Sequence, residues 1–174
     1  APFDVFLAAD QHRPKLLHQQ GFGDAPRTYA TGRLVLWSPD PHLIEGGDIL
    51  RREKIPRLAV ANPKTAPYGF AAQQVLQSLG LAGKLRSRLV RGENIAQTYQ
   101  FVATGNAGLG FVALSQVFNI KSGSSWQPPQ SMYDPIHQDA LLLTRGQNKP
   151  AARAFFEFLF SAETVERATE FYEI

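Results

Sequence analysis

Residues 57–80, RLAVANPKTAPYGFAAQQVLQSLG, contain a predicted strand, a proline-bearing loop and a predicted helix in direct succession. Residues 57–61 are short and apolar, as is typical of a buried strand, and Asn62 and Pro63 end it. Gly80 stands where a helix C-terminus favours glycine. Before it, apolar residues follow helical spacing, at Ala71, Ala72, Val75, Leu76 and Leu79. This stretch therefore predicts one strand–helix unit of an α/β protein.

The same alternation continues on both sides of this stretch. Short apolar strands are predicted at residues 3–9, 33–37, 57–61, 85–90, 110–114 and 139–144. Helices are predicted at residues 11–20, 68–79 and 94–104, then from Pro150. Two more are predicted to follow Ser115 and Ser161, each of which is expected to cap its helix. Because strands alternate with helices almost throughout, we expect an α/β fold with mainly parallel sheets and crossover helices. In such sheets, ligands bind beyond the carboxyl ends of the strands.

The sequence also predicts the local structure of two segments in the C-terminal half. Residues 121–132 are polar and contain glycine and proline, which predicts a loop. Pro150 suits the first turn of a helix. The buried face of that helix is predicted to comprise Ala151, Phe155, Phe158 and Leu159.

Composition excludes several classes of function. The 174 residues include 18 Lys plus Arg and 15 Asp plus Glu, and the net charge is +3. These charges are scattered and form no basic stripe with stacking aromatics, so no nucleic-acid partner is expected. The sequence has no cysteine, which removes disulfides and thiolate chemistry. No apolar run has the length of a membrane span.

Motif searches point away from common catalytic and cofactor sites. The sequence has no Gly-x-Ser-x-Gly nucleophile elbow and no phosphate loop. Residues 105–110, GNAGLG, precede a predicted strand, so a helix C-terminus and a tight turn explain these glycines better than a dinucleotide site does. The histidines lack the spacing of paired metal ligands; they are His12, His18, His42 and His137.

Two strand-to-helix junctions could bind an anion. In the first, residues 62–69, Pro67 suits the helix start, and the N–H groups of Tyr68 and Gly69 are expected to have no partner within the helix. In the second, residues 91–95, Asn94 is a helix cap and N–H groups near Ile95 are similarly placed. Such N–H groups and the positive end of the helix dipole favour anions. Every α/β protein has such junctions, so a purely structural role remains an alternative.

Five segments in register resemble the periplasmic molybdate-binding proteins. They are residues 1–10 (APFDVFLAAD), 29–38 (YATGRLVLWS), 62–69 (NPKTAPYG), 92–97 (GENIAQ) and 109–114 (LGFVAL). The resemblance continues through residues 133–136 (YDPI) to the closing helices. It covers essentially the whole chain.

The resemblance implies a two-lobed periplasmic-binding-protein fold of the α/β class. Lobe one would comprise residues 1–30 and 134–174, and lobe two would comprise residues 31–133. Ligand oxygens would accept hydrogen bonds from the backbone N–H groups of Tyr68 and Ile95. Some members have a tyrosine at the position of Ala113, which offers no donor here. Lys64 is expected to be solvated.

Members of the family also begin with a further strand, helix and strand, with hydroxyl-bearing loops that supply the other half of the site. We therefore expect the N-terminal strand–helix–strand to be missing here. We also expect the chain as given to bind the oxyanion poorly and to associate through unpaired sheet edges.

The implied function is that of a periplasmic receptor, which closes around molybdate or tungstate and delivers it to the membrane permease of an ABC importer. The resemblance implies no enzyme activity, no catalytic residue, no cofactor and no metal beyond the bound oxyanion. Two other functions stay open. One is an oxyanion-sensing effector domain of a transcription regulator. The other is a small enzyme that uses His137 with Asp134 or Asp139, although no nucleophile is evident beside them.

Overall fold

The computed structural model describes residues 2–168 and 172–173. Its strands, in chain order, are β1 (Val5–Leu7), β2 (Arg27–Gly32), β3 (Leu34–Ser38), β4 (Leu58–Ala61), β5 (Leu89–Gly92), β6 (Leu109–Ala113), β7 (Ser124–Trp126), β8 (Ile136–Leu142) and β9 (Tyr172–Glu173). Its helices are α1 (His12–Gln19), α2 (Pro67–Ser78), α3 (Ala82–Leu85), α4 (Ile95–Ala103), α5 (Leu114–Val117), α6 (Pro150–Phe158) and α7 (Ala162–Ala168). Short 3-10 turns occupy Gly47–Arg51, Arg86–Arg88 and Gln130–Met132.

The chain forms two compact units. The first unit comprises Ala1–Gly32 and Ile136–Ile174, and the second unit comprises Arg33–Pro135. Each unit contains one sheet with helices packed against it. The α/β class expected from the sequence is therefore confirmed.

The sheet of the first unit has the strand order β1-β8-β2-β9, and its described pairings are antiparallel. β8 is central, and α6 covers it by packing Ala152 and Phe156 against Ala140 and Leu142. A bulge interrupts the pairing of β2 with β8 between Thr28 and Ala30.

The sheet of the second unit has the order β5-β4-β6-β3-β7. β4 pairs in parallel with β5 and β6, whereas β3 runs antiparallel to β6 and β7. The expectation of mainly parallel sheets is therefore wrong. Parallel pairing is limited to β4, β5 and β6, which alternate along the chain with α2, α3 and α4, whereas no α-helix lies between β3 and β4.

The predicted buried face of α6 is wrong in part. Phe155 and Phe158 are 47% and 50% exposed, and Ala151 is exposed too, whereas Ala152 and Phe156 are buried. Leu159 packs against the core as expected. Two apolar stripes with the same four-residue spacing overlap in this helix, and periodicity cannot choose between them.

Several element boundaries also differ from prediction. Residues 85–88 belong to α3 and a 3-10 turn, so β5 begins only at Leu89. Leu81 and Leu85, four residues apart and both buried, complete a helical turn instead of a strand. β2 was not predicted from the sequence, and the predicted loop 121–132 contains β7. Ser115 lies inside α5 and does not cap it, since the N-cap of α5 is Ala113. The predicted cap at Ser161 is confirmed, since its hydroxyl accepts from the Thr164 N–H at 3.3 Å.

Candidate functional site

The carboxyl ends of three parallel strands meet at one edge of the second unit's sheet. β4 and β5 are in register with Ala61 opposite Gly92, and β6 runs parallel on the other side of β4. The Asn62 N–H continues the ladder by donating to the Gly92 carbonyl at 2.7 Å. The two junctions identified in the sequence therefore lie side by side at the edge where such sheets bind ligands.

The first junction is a tightly bonded turn. The carbonyl of Asn62 accepts from the N–H groups of Thr65 at 3.1 Å and Ala66 at 2.9 Å. Its side-chain oxygen accepts from the Lys64 N–H at 3.1 Å. These bonds hold Ala66 in an extended conformation (φ −126°, ψ 121°), from which Pro67 starts α2. The direction of the first turn of α2 is thus set by the loop.

Tyr68 occupies the second position of α2 and is 4% exposed. The first hydrogen bonds of the helix are donated to the Ala66 carbonyl by Gly69 at 2.9 Å and by Phe70 at 3.1 Å. The expectation that the Gly69 N–H has no partner in the helix is therefore wrong. The first turn is tightened by a hydrogen bond between residues three apart, as in a 3-10 helix. A side chain at Gly69 would overlap the Ala61 carbonyl, so the helix start rests directly on the end of β4.

The second junction is capped as the sequence suggested. The Asn94 side chain accepts from the Gln97 N–H at 2.9 Å, and the Gln97 side chain accepts from the Glu93 N–H at 2.7 Å. Ile95 is the first residue of α4 and is half-buried. Among the residues that the structure describes, none supplies an acceptor for the Ile95 N–H. That donor is accordingly available to a ligand.

Hydrogen bonds from side chains connect the loops at this edge, and these bonds were not predicted from the sequence. The Thr65 hydroxyl donates to the Glu93 carbonyl at 3.1 Å, which joins the two junctions. Gln116, from α5, accepts from the Ala113 N–H at 3.1 Å and donates to the Ile95 carbonyl at 3.4 Å. The three-residue spacing of Asn94 and Gln97 is a capping signal visible in the sequence. Thr65 and Gln116 carry no such signal, because their partners are distant along the chain.

The electrostatics of this edge favour an anion. Two α-helices of 12 and 9 residues, α2 and α4, begin here, and the positive ends of their dipoles lie at their N-termini. Glu93 is the only acidic residue within the two junction loops, and it is exposed. Lys64 is exposed as expected. Ala113 is buried and adds no side-chain donor, as the sequence indicated.

The residues of the enzyme hypothesis have other partners. His137 Nδ1 lies 3.0 Å from the Thr31 hydroxyl, and Asp139 accepts from the Thr28 hydroxyl at 2.7 Å. Asp134 accepts from a glutamine of α2 at 2.6 Å. Residues 2–168 and 172–173 contain no group of three His, Asp or Glu side chains arranged to hold a metal ion. These contacts explain the three residues as structural hydrogen-bonding groups.

The glycines of residues 105–110 also have structural explanations. Gly105 follows α4 with φ +80°, a left-handed conformation that ends a helix. A side chain at Gly110 would meet Val102 and Ala59, so this strand packs closely against its neighbours. The helix-end interpretation of these glycines is confirmed. No helix in the described residues is long and apolar enough to span a membrane.

Comparison with known proteins identifies relatives along the whole chain. The family of bacterial extracellular solute-binding proteins matches residues 1–171. The molybdate-binding protein ModA of Azotobacter vinelandii is 49% identical over 172 residues, which cover 95% of this chain and 68% of that protein. The molybdate-binding protein ModA of Rhodobacter capsulatus is 47% identical over 168 residues, which cover 95% and 67%.

Solved structures agree with these sequence relatives. The periplasmic molybdate-binding protein of Azotobacter vinelandii superimposes with a TM-score of 0.93 and 37% identity, over 100% of this chain and 79% of that chain. The substrate-binding domain of a putative molybdenum ABC transporter from Clostridium difficile gives a TM-score of 0.77 and 27% identity, over 100% and 78%. The chain belongs to the bacterial extracellular solute-binding protein family, in the group that contains the molybdate-binding proteins.

Proposed function

We propose that this chain is a periplasmic receptor that binds molybdate or tungstate and delivers it to the membrane permease of an ABC importer. The names of its relatives support the ligand and the transport role. In this chain the proposal rests on one observation: α2 and α4 begin side by side at one sheet edge. The loops that precede the two helices are joined by the hydrogen bond from the Asn62 N–H to the Gly92 carbonyl.

In this proposal the oxyanion accepts hydrogen bonds from the backbone N–H groups of Tyr68 and Ile95. Both residues lie in the first turn of a helix, so the dipoles of α2 and α4 add to the attraction. Neutral donors stabilise the dianion without a lysine or arginine in contact with it. The ligand is cargo, so the proposal involves no catalytic residue and no cofactor.

Selectivity follows from how rigidly the donors are held. Thr65 and Gln116 fix the two helix starts through hydrogen bonds that cross between the loops. Donors held at fixed separations suit an oxyanion of one size and bind a smaller one with longer, weaker bonds. We therefore expect molybdate and tungstate, which are larger than sulfate and phosphate, to be preferred.

Isothermal titration calorimetry with the four oxyanions tests this function. Molybdate and tungstate should bind at least about tenfold more tightly than sulfate or phosphate, a difference of about 1.4 kcal/mol. Similar affinities for molybdate and sulfate would defeat the ligand assignment, even if the chain still bound anions.

A further inference from the structure

A cavity of about 380 Å³ lies in the second unit, between α2, α3 and the edge strand β5. Its size falls within the range of small-molecule sites in proteins. Neither Tyr68 nor Ile95 lines it. It is therefore a different site from the one assigned to the oxyanion, although both border on the loop that follows β4.

The inner wall of this cavity is apolar. Val60, Leu76, Ala82 and Leu89 line it, and Val60 and Leu76 are 5% and 3% exposed. A tetrahedral oxyanion has no apolar surface to place against such a wall and would fill only a small part of the volume. The wall therefore suits the hydrocarbon body of an organic molecule.

Positive charge surrounds the same cavity. Lys64, Arg86 and Arg91 line it, and no acidic residue does. Within the part of the chain that the structure describes, none of these three side chains forms an ion pair or a hydrogen bond. In the same unit, Arg52 pairs with Glu45 at 3.1 Å. Three exposed cations that line one concavity, with no acidic residue beside them, would attract an anionic ligand.

We propose that this cavity binds a second ligand, an organic anion with a phosphate or carboxylate group on an apolar body. The anionic group faces Arg86 and Arg91, whose planar guanidinium groups can each donate two parallel hydrogen bonds to such oxygens. The apolar body lies against Val60, Leu76 and Leu89. Lys64 adds long-range attraction from the rim.

Titration of the ¹⁵N-labelled full chain with 1-naphthyl phosphate, at saturating molybdate, tests this site. Saturable shifts are expected in the amides of Gln73, Leu76 and Leu89, with a dissociation constant below about 1 mM. Inorganic phosphate should bind the same site at least tenfold more weakly, because it lacks the apolar body. Equal binding of the two probes, or no saturable shift at these amides, would overturn the proposal.

Charge variants complete the test. The double variant R86Q/R91Q should weaken 1-naphthyl phosphate binding at least tenfold. The matched control R57Q/R153Q removes two exposed arginines that do not line the cavity and should leave binding unchanged. Equal losses of affinity in both double variants would show that only the net charge of the protein matters, and this would overturn the proposal. If the probe bound only when molybdate was left out, it would occupy the oxyanion site, and the proposal would again be overturned.

Discussion

Ile95 stands at the first position of α4, where its backbone N–H points out of the helix. Asn94 before it is extended, with φ −147° and ψ 174°, which is the conformation that a residue preceding proline prefers. Proline is also well tolerated at the first position of a helix, as Pro67 shows in α2. A proline at Ile95 would therefore delete one N–H group and leave the helix intact.

We predict that I95P lowers the affinity for molybdate by roughly tenfold to hundredfold. A hydrogen bond to a charged group is worth about 1.5–3 kcal/mol, and this substitution removes one such donor. Calorimetry measures the affinity, and a thermal melt without ligand checks that the fold is retained.

The matched control is I95A, which removes the half-buried side chain but keeps the N–H group. It should bind molybdate nearly as well as the unaltered chain. If I95A lost as much affinity as I95P, the side chain rather than the backbone would make the contact.

At the scale of elements, substitutions at the cap of α4 can change the charge beside the site without changing the geometry of the helix start. Asn94 holds the first turn by accepting from the Gln97 N–H at 2.9 Å. Aspartate and serine cap helices about as well as asparagine does. Of these three residues only aspartate adds a negative charge, and that charge lies one residue from the proposed donor Ile95.

We predict that N94D keeps or slightly raises the melting temperature but weakens molybdate binding about tenfold. A carboxylate close to a dianion costs on the order of 1–2 kcal/mol even at the dielectric constant of water. N94S should bind almost normally. Equal affinities for N94D and N94S would show that no anion lies near this helix start.

β4 and α2, which form part of the site, were predictable because their local sequence signals agree with their burial in the structure. Residues 57–80 have a strand pattern, Pro67 at the helix start and Gly80 at its end, and the structure has β4 and α2 in that stretch with Gly80 at φ +71°. β2 was missed because its buried residues are only Ala30 and Gly32, and Thr28 and Thr31 contact polar partners, so the strand has no large apolar residue at a buried position.

Other errors came from signals that a sequence leaves ambiguous. The apolar residues of α6 fit two faces, and only packing against β8 selects Ala152 and Phe156. The hydroxyl of Thr65 and the amide of Gln116 act across loops that are far apart in the chain, at 28 and 21 residues from their partners. Periodicity contains no information about contacts of that kind.

At the scale of the whole molecule, one unit contains both proposed donors. Tyr68 and Ile95 both belong to Arg33–Pro135, and their helices start at the same sheet edge. The cationic cavity belongs to this unit as well. The central claim, that backbone N–H groups at this edge bind the oxyanion, can therefore be tested by following this unit in the full chain.

The most direct test is a series of ¹H–¹⁵N correlation spectra of the full chain titrated with molybdate. A hydrogen bond to a charged acceptor moves an amide proton downfield, so the Tyr68 and Ile95 signals should shift together along one saturable binding curve. If both signals stayed in place while those beside Lys64, Arg86 and Arg91 moved, the oxyanion would bind the cationic cavity instead. The central claim would then be contradicted.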